Sequence, residues 1–402
     1  PPYTRPIVRL VKMKKLFPFL LLSLTWTATA KPPVTLVRAV MNGFVADNVI
    51  AGSVTAVATK SKILSLETTG FANLKTKTTM PADAMFWIAS MTKPMAAVCV
   101  LQLQESGKLS IDDPVQKHLP EFAGQWMVES RAKGKLILKK PARAITIRDL
   151  LTHTSGLPNT NSPRPESTLA ELVMSYSKTP LQFEPGSRWS YSNAGINVLG
   201  RIVEVASGTP FAEFLQARVL DPCGMKDTTF WPTAAQAKRI ATSYRPDKAG
   251  KLQPTEVFFL KGGISNRKRT PYPAGGLYST AADVVAFYQM MLNSGSYKGK
   301  RVLKKESVAL MTRTQTGDIK TGFVDGMSWG LGFQVVKTPM GVTASLSTGT
   351  YGHGGAYATQ SWADPKTGRI VVLMIQRAGF RNGDNSPVRK AFQEAVQKQF
   401  GR

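Results

Sequence analysis

Residues 89–104 read ASMTKPMAAVCVLQLQ, and the stretch poses a chemical question before a structural one. A serine hydroxyl is almost never ionised near pH 7, so a nucleophilic serine needs a base within hydrogen-bond reach. Ser90 and Lys93 stand three apart, and positions i and i+3 share one face of a helix, which brings the amine beside the hydroxyl. The spacing alone says little, because Ser-x-x-Lys occurs at Ser90/Lys93, Ser130/Lys133, Ser175/Lys178 and Ser265/Lys268. Context separates them. Ser90 alone is followed by an unbroken apolar run, Met95 to Leu101, which makes a helix apolar on every side and therefore central to the fold. Burial disfavours the ammonium form and lowers the lysine pKa toward a value at which the amine accepts a proton. Pro94 has no N–H to return to the Ser90 carbonyl, so Ser90 belongs in the first helical turn, where unpaired N–H groups face a reacting carbonyl. The other three pairs lie in basic, polar or loop-like surroundings, and solvation explains them.

Outward from this helix, the two ends of the chain are β-rich. Residues 50–58 and 62–72 read as a hairpin of strands, and Gly330 to Val336, Ala356 to Ala363 and Ile370 to Gln376 give three more. A closing helix carries Val388, Phe392, Val396 and Phe400 every fourth residue. Strands at both ends imply one sheet assembled from distant segments, with the stretch between them inserted. That insertion, roughly 81–274, reads as mostly helical. Thr146-Ile-Arg-Asp149 is a capping box running into LLTHTSG, and Ile196, Leu199, Ile202, Val203 and Ala206 mark a helix ending at Gly208. Pro158 to Thr168 and the basic stretch Tyr244 to Pro273 read as surface loops.

Two further motifs bear on chemistry. Tyr191-Ser192-Asn193 follows a Glu-Pro-Gly turn, and in an extended stretch its phenol and amide point the same way; a packing Tyr beside a helix-capping Asn explains the tripeptide equally well. Near the end of the chain stand His353-Gly354-Gly355 and Lys366-Thr367-Gly368. The latter follows Asp364-Pro365 between two β-rich runs, and a tight turn accounts for it. The two motifs flank one expected strand and lie about 25 Å apart at about 3.3 Å per residue, so both cannot line one site. Gly354 and Gly355 let backbone approach a ligand closely, and HGG is the motif assigned to the site.

Composition narrows the setting. Met13-Lys14-Lys15, the apolar stretch Leu16 to Leu24 and Ala28-Thr29-Ala30 fit a secretory signal over residues 1–30 that starts at Met13, so export to the periplasm or beyond is expected. Its removal lowers the net charge of +27 by five, to +22. A basic surface of that kind suits weak contact with an anionic envelope. The basic residues are scattered, with clusters at Arg131–Lys140 and Lys261–Arg269, and no nucleic-acid module accompanies them. Cys99 and Cys223 read as reduced packing residues. The three histidines are far apart and neither HExxH nor CxxC occurs, so no metal or other cofactor is expected.

Taken in order, Ser90-Met-Thr-Lys93, Tyr191-Ser-Asn193 and His353-Gly-Gly355 resemble the three motifs of the penicillin-binding-protein-like serine hydrolases. More narrowly, the chain resembles the class C β-lactamase-related group, which includes D-alanyl-D-alanine carboxypeptidases and family VIII carboxylesterases. Leu150-Leu-Thr-His-Thr-Ser-Gly-Leu157 and Pro273-Ala-Gly-Gly-Leu-Tyr-Ser-Thr-Ala-Ala-Asp283 are similar to sequence typical of that group.

The resemblance implies an α/β (α+β) fold of β-lactamase/transpeptidase type, with an antiparallel sheet domain from 31–80 plus 275–402. A helical domain, 81–274, would carry Ser90, Lys93 and Tyr191, with the site between the two. It implies Ser90 as nucleophile, Lys93 as its base and Tyr191 as proton relay. Asn193 would bind a substrate carbonyl, and the backbone N–H groups of Ser90 and Ala356 would form an oxyanion hole. His153 would order a loop. β-Lactamases of this type carry Lys-Thr-Gly as third motif, which helps hold a substrate carboxylate. Here His353-Gly354 stands in its place, a side chain mostly neutral at pH 7 and one without a hydroxyl. The expected partner is therefore a small-molecule ester or amide, with an esterase favoured over a D-alanyl-D-alanine peptidase and over a β-lactamase. A noncatalytic envelope-binding protein is the alternative of another class.

Overall fold

The computed structural model describes residues 1–4, 34–132, 134–159, 165–257 and 263–401; the expected leader from Met13 to Ala30 lies outside them. Thr35–Arg402 form one compact unit, built on an eight-stranded sheet. From one edge to the other its strands are Met327–Trp329, Gln334–Val336, Tyr351–Gly354, Gln360–Asp364, Arg369–Met374, Gly52–Thr59, Ile63–Asn73 and Thr78–Thr79. Every neighbouring pair is antiparallel. The first and last parts of the chain meet where Val54 pairs with Met374 and Ala58 with Ile370, so the sheet expected from distant segments is present.

Alternation along these strands feeds two cores. Val54, Ala56, Ile370 and Val372 face the large core shared with the central helix Thr92–Glu105. Val57, Val371, Leu373 and Trp362 face the opposite side, where Val37 and Met41 of helix Leu36–Ala46 pack with Val388, Phe392 and Val396 of helix Pro387–Phe400. A period of two on a strand puts successive side chains on opposite faces, and both faces here are covered. Residues Thr92 to Leu103 of the central helix are all buried, as a run apolar on every side requires. The capping box of Thr146 and Asp149 opens helix Ile147–Thr152. Helix Asn193–Ser207 ends at left-handed Gly208, φ 75°.

Three expectations need correction. Gly330 to Val336 is not one strand: Gly332 has φ 78° and the Gly330 N–H donates to the Phe333 carbonyl at 2.9 Å, so the chain turns back and makes the hairpin Met327–Trp329/Gln334–Val336. The strand expected over Ala356 to Ala363 begins only at Gln360. Residues 355–359 form a turn closed by the Gly355 N–H on the Thr359 carbonyl at 2.8 Å, with Ala358 at φ 67°, and His353 and Gly354 belong to the preceding strand. The stretch Tyr244 to Pro273 is not simply a surface loop. It contains the hairpin Tyr244–Pro246/Leu252–Pro254, and Arg269 is fully buried with its guanidinium donating to the Phe230 and Ile264 carbonyls. A buried cation bound to carbonyls anchors that end of the segment against the core.

Candidate active site

Ser90 sits in a 3-10 turn, Ala89–Met91, that runs into the central helix. The chain enters the turn pinned: Phe86 and Trp87 pair with Ser279 and Tyr278, and the Ile88 N–H donates to the Leu277 carbonyl at 3.0 Å. Ala89 adopts φ 47°, a left-handed conformation costly for a residue with a Cβ and found where neighbouring structure enforces it. Thr92 enforces it from below, its hydroxyl donating to the Ala89 carbonyl at 2.7 Å. Pro94 lies in the first turn of the helix proper. Ser90 is thus held at a helix start, where its N–H has no intrahelical acceptor.

Lys93 is completely buried. Its Nζ lies 3.0 Å from Ser90 Oγ, 2.8 Å from Asn193 Oδ1 and 2.5 Å from the Ala274 carbonyl oxygen, and 4.7 Å from the centre of the Tyr191 ring. Burial holds its pKa well below that of a free lysine. The Tyr191 phenol shares a hydrogen bond with the Ser90 side chain, and burial pushes its pKa well above the ordinary tyrosine value. The two shifts are opposite in sense. An amine that sheds its proton easily and a phenol that keeps its own both touch one serine hydroxyl.

Tyr191 and Asn193 reach this place through a helix start. Ser192 is extended and caps helix Asn193–Ser207, accepting the Gly195 N–H at 3.0 Å. The capping residue is therefore Ser192, which leaves the Asn193 amide free to meet Lys93. Asn159 clamps both neighbours: its Oδ1 accepts the Asn193 N–H at 2.6 Å and its Nδ2 donates to the Tyr191 carbonyl at 2.9 Å. His153 ends its helix at φ 60°, accepts the Ser192 N–H on Nδ1 at 3.1 Å and lies with its ring centre 4.5 Å from that of Tyr191. It orders the loop, and burial keeps it neutral.

His353, Gly354, Gly355 and Ala356 line the same cleft of about 510 Å³ as Ser90, Tyr191 and Asn193. His353 is buried and neutral, its pKa lowered to about 3 by burial and then by Lys93. The glycines serve a purpose beyond ligand approach. A Cβ on Gly354 would stand 2.6 Å from Nη2 of Arg389, and one on Gly355 would stand 2.7 Å from the Ile88 carbonyl oxygen and collide with Thr359 Oγ1. Fully buried Arg389 donates to the Gly355 and Thr359 carbonyls at 3.2 and 2.6 Å and pairs with Asp384 at 2.9 Å. The HGG strand end is therefore clamped between the serine turn and this arginine.

Lys366-Thr367-Gly368 lies in the turn between strands Gln360–Asp364 and Arg369–Met374, where Asp364 Oδ1 accepts the Lys366 N–H at 2.9 Å. Of the other Ser-x-x-Lys pairs, Ser175 bonds back to the Leu172 carbonyl at 2.6 Å and Ser265 to the Pro232 carbonyl at 2.6 Å, while Lys178 and Lys268 are exposed. Ser130 lies exposed on a hairpin, and Lys133 is outside the described residues. Sequence reasoning missed Asn159, the Ala274 carbonyl, Asp384 and Arg389. Asn159 sits in a segment read as a loop, Ala274 in a stretch noted only for its likeness to the group's sequence, and a backbone acceptor carries no residue-type signal at all.

A family model described as Beta-lactamase matches residues 37–393. This chain belongs to the β-lactamase family. It is 34% identical over 361 residues to Protein Rv1367c of Mycobacterium tuberculosis (strain ATCC 25618 / H37Rv), covering 81% of this chain and 86% of that protein. To esterase EstB of Burkholderia gladioli it is 30% identical over 379 residues, covering 86% and 91%. The solved structure of EstCE1, described as a hydrolase with promiscuous acyltransferase activity, superposes with TM-score 0.75 at 25% identity, over 90% of this chain and 97% of that one. As a β-lactamase-family serine hydrolase, the chain carries His353-Gly354 where the resemblance leads one to expect Lys-Thr.

Proposed function

We propose that this chain is an exported carboxylesterase that hydrolyses short, uncharged esters through an acyl-enzyme on Ser90. Neutral Lys93 takes the Ser90 proton as Oγ attacks the ester carbonyl carbon. The oxyanion is received by the N–H groups of Ser90 and Ala356. Collapse breaks the bond to the alcohol oxygen, to which the Tyr191 phenol gives its proton, and the proton held on Lys93 restores the phenol. Water then repeats the sequence on the acyl carbonyl and frees the acid. Asn193, its Oδ1 occupied by Lys93, offers its Nδ2 hydrogens to the substrate carbonyl.

One observation carries the preference for uncharged esters. Among the described residues lining the cleft there is no lysine or arginine, and the one carboxyl side chain is that of Asp384. Arg389, the nearby cation, is fully buried and faces carbonyls and Asp384. A substrate carboxylate, which penicillins and D-alanyl-D-alanine peptides both carry, meets no exposed positive partner there, because the one nearby guanidinium is already paired with Asp384 at 2.9 Å. A neutral ester loses nothing by the arrangement.

The test is hydrolysis of 4-nitrophenyl butyrate, a cephalosporin and a D-alanyl-D-alanine peptide by wild type and Ser90→Ala in parallel. Ester turnover that vanishes in the variant, with the other two substrates slower, is the expected result; equal rates from both proteins would end the proposal. Inertness toward a fluorophosphonate probe would instead favour a noncatalytic envelope protein.

A further inference from the structure

The basic cluster Arg131–Lys140 plays no part in the chemistry above, and its shape is specific. Met127–Ala132 and Lys135–Lys139 form a separate two-stranded hairpin, joined at its base through the bridge of Met127 to Leu181. Met127 is buried, and from Glu129 onward the first strand is exposed. Leu136 and Ile137 are adjacent on one strand, so they point to opposite faces, yet both are exposed, at 45% and 47%. Neither face of the outer hairpin is covered by the protein. Trp126 at its root is 49% exposed, with Lys140 Nζ 3.8 Å above its ring.

Arg131, Lys133, Lys135, Lys139 and Lys140 accompany these apolar residues, with Glu129 as the one acid between Trp126 and Lys140. Leaving Trp, Leu and Ile in water on a projecting element is unfavourable unless something else receives them. A second copy of the chain would bring five like charges against five, which opposes pairing. A nucleic acid would answer the charges and leave Leu136 and Ile137 in water. An anionic bilayer answers both, because its headgroups attract lysine and arginine while its interface accepts Trp and aliphatic side chains.

We infer that this hairpin is a peripheral docking element for anionic lipid surfaces, with Leu136 and Ile137 entering the interface and the flanking cations on the headgroups. No helix among the described residues is long and apolar enough to cross a membrane. This inference is independent of the substrate assigned above.

The experiment is co-sedimentation of the purified chain with two sets of vesicles at low salt. One is pure phosphatidylcholine; in the other about a third of the lipid is phosphatidylglycerol, enough for a strongly negative surface. Binding to the anionic vesicles alone is expected. Lys135→Gln/Lys139→Gln should weaken it roughly 10- to 30-fold, at about fivefold per cation near the surface. Leu136→Ser/Ile137→Ser should weaken it by roughly tenfold or more through lost apolar burial. All four positions are exposed, so ester turnover, where present, and the unfolding midpoint should match wild type and report that the variants fold. Failure of wild type to bind anionic vesicles overturns the inference. So does binding that neither double variant changes, or a loss confined to the charge variant with retention on an anionic polymer. Self-association broken by the apolar pair, without lipid binding, would also overturn it.

Discussion

At the scale of single residues, the proposed chemistry rests on two pKa values moved apart by the same cause. Burial destabilises a charge, so it lowers the cationic acid Lys93 and raises the neutral acid Tyr191. Near neutral pH this favours an amine able to take a proton and a phenol able to give one. The pH profile of kcat/KM should therefore rise with pH as Lys93 deprotonates, with its acid limb well below 10.5, and fall only above 10, as Tyr191 ionises. Tyr191→Phe should lower kcat by roughly 10²- to 10⁴-fold and remove the alkaline limb. Lys93→Arg keeps a charge that cannot leave near neutral pH, and should cost as much with no recovery as pH rises. The folded value of Lys93 lies below the unfolded one. Between the two the unfolded chain binds more protons, and this residue's contribution to stability rises with pH across that window. Asp384, besides pairing with Arg389, bears on selectivity. Asp384→Asn should raise kcat/KM for a mono-4-nitrophenyl ester of glutaric acid roughly 5- to 10-fold relative to 4-nitrophenyl butyrate, the size of one charge–charge repulsion about 10 Å away at an intermediate dielectric. An unchanged ratio would assign the preference to shape.

At the scale of elements, the site is a serine turn and a strand end pressed together, and glycine makes that contact possible. Gly354→Ala places a methyl group within 2.6 Å of the Arg389 guanidinium, and something buried must move. Overpacking of this kind costs about 1–3 kcal/mol, which a guanidinium chloride titration resolves as a lower midpoint at constant slope. For the same reason, restoring Lys-Thr-Gly by His353→Lys/Gly354→Thr should destabilise the protein without creating β-lactam turnover. This contact also marks how far the sequence can be read. The helix at Ser90 was legible because a run apolar on every side has one reading, and the helices at Thr146 and Asn193 because caps and periodicity agree. The strand expected from Ala356 begins only at Gln360, since Arg389, thirty or more positions away, holds the turn 355–359 and no local turn residue announces it. Tyr191-Ser192-Asn193 left two readings open until Asn159 and Lys93 were seen on either side of it. Ala274 was invisible in principle, because its carbonyl acts and its side chain does not.

At the scale of the whole molecule, the last helix of the chain serves a site whose proposed nucleophile is residue 90. Arg389 on helix Pro387–Phe400 reaches the turn between the interior strands Tyr351–Gly354 and Gln360–Asp364, donating to the Gly355, Ala358 and Thr359 carbonyls, and its partner Asp384 is itself held by Gln334 at 3.2 Å. Gly355 in turn leaves no room between its own backbone and the Ile88 carbonyl ahead of Ser90. The helix, the HGG turn and the serine turn are thus one mechanical unit, though the serine turn lies far from the other two in sequence. Arg389→Met removes the cation and leaves Asp384 and three carbonyls without it, which should cost about 3–5 kcal/mol. Conditions that keep the variant folded should still show a fall in kcat larger than any change in KM, because Ala356 would no longer be fixed over the reacting carbonyl. The decisive measurement is a double-mutant cycle with Gly354→Ala. If the glycine is required because the guanidinium lies behind it, the alanine should cost much less in the Arg389→Met background, with a coupling of about 1 kcal/mol or more. Additive costs would mean that the two residues act separately, and the clamp would have to be sought in the contact between Gly355 and Ile88 alone.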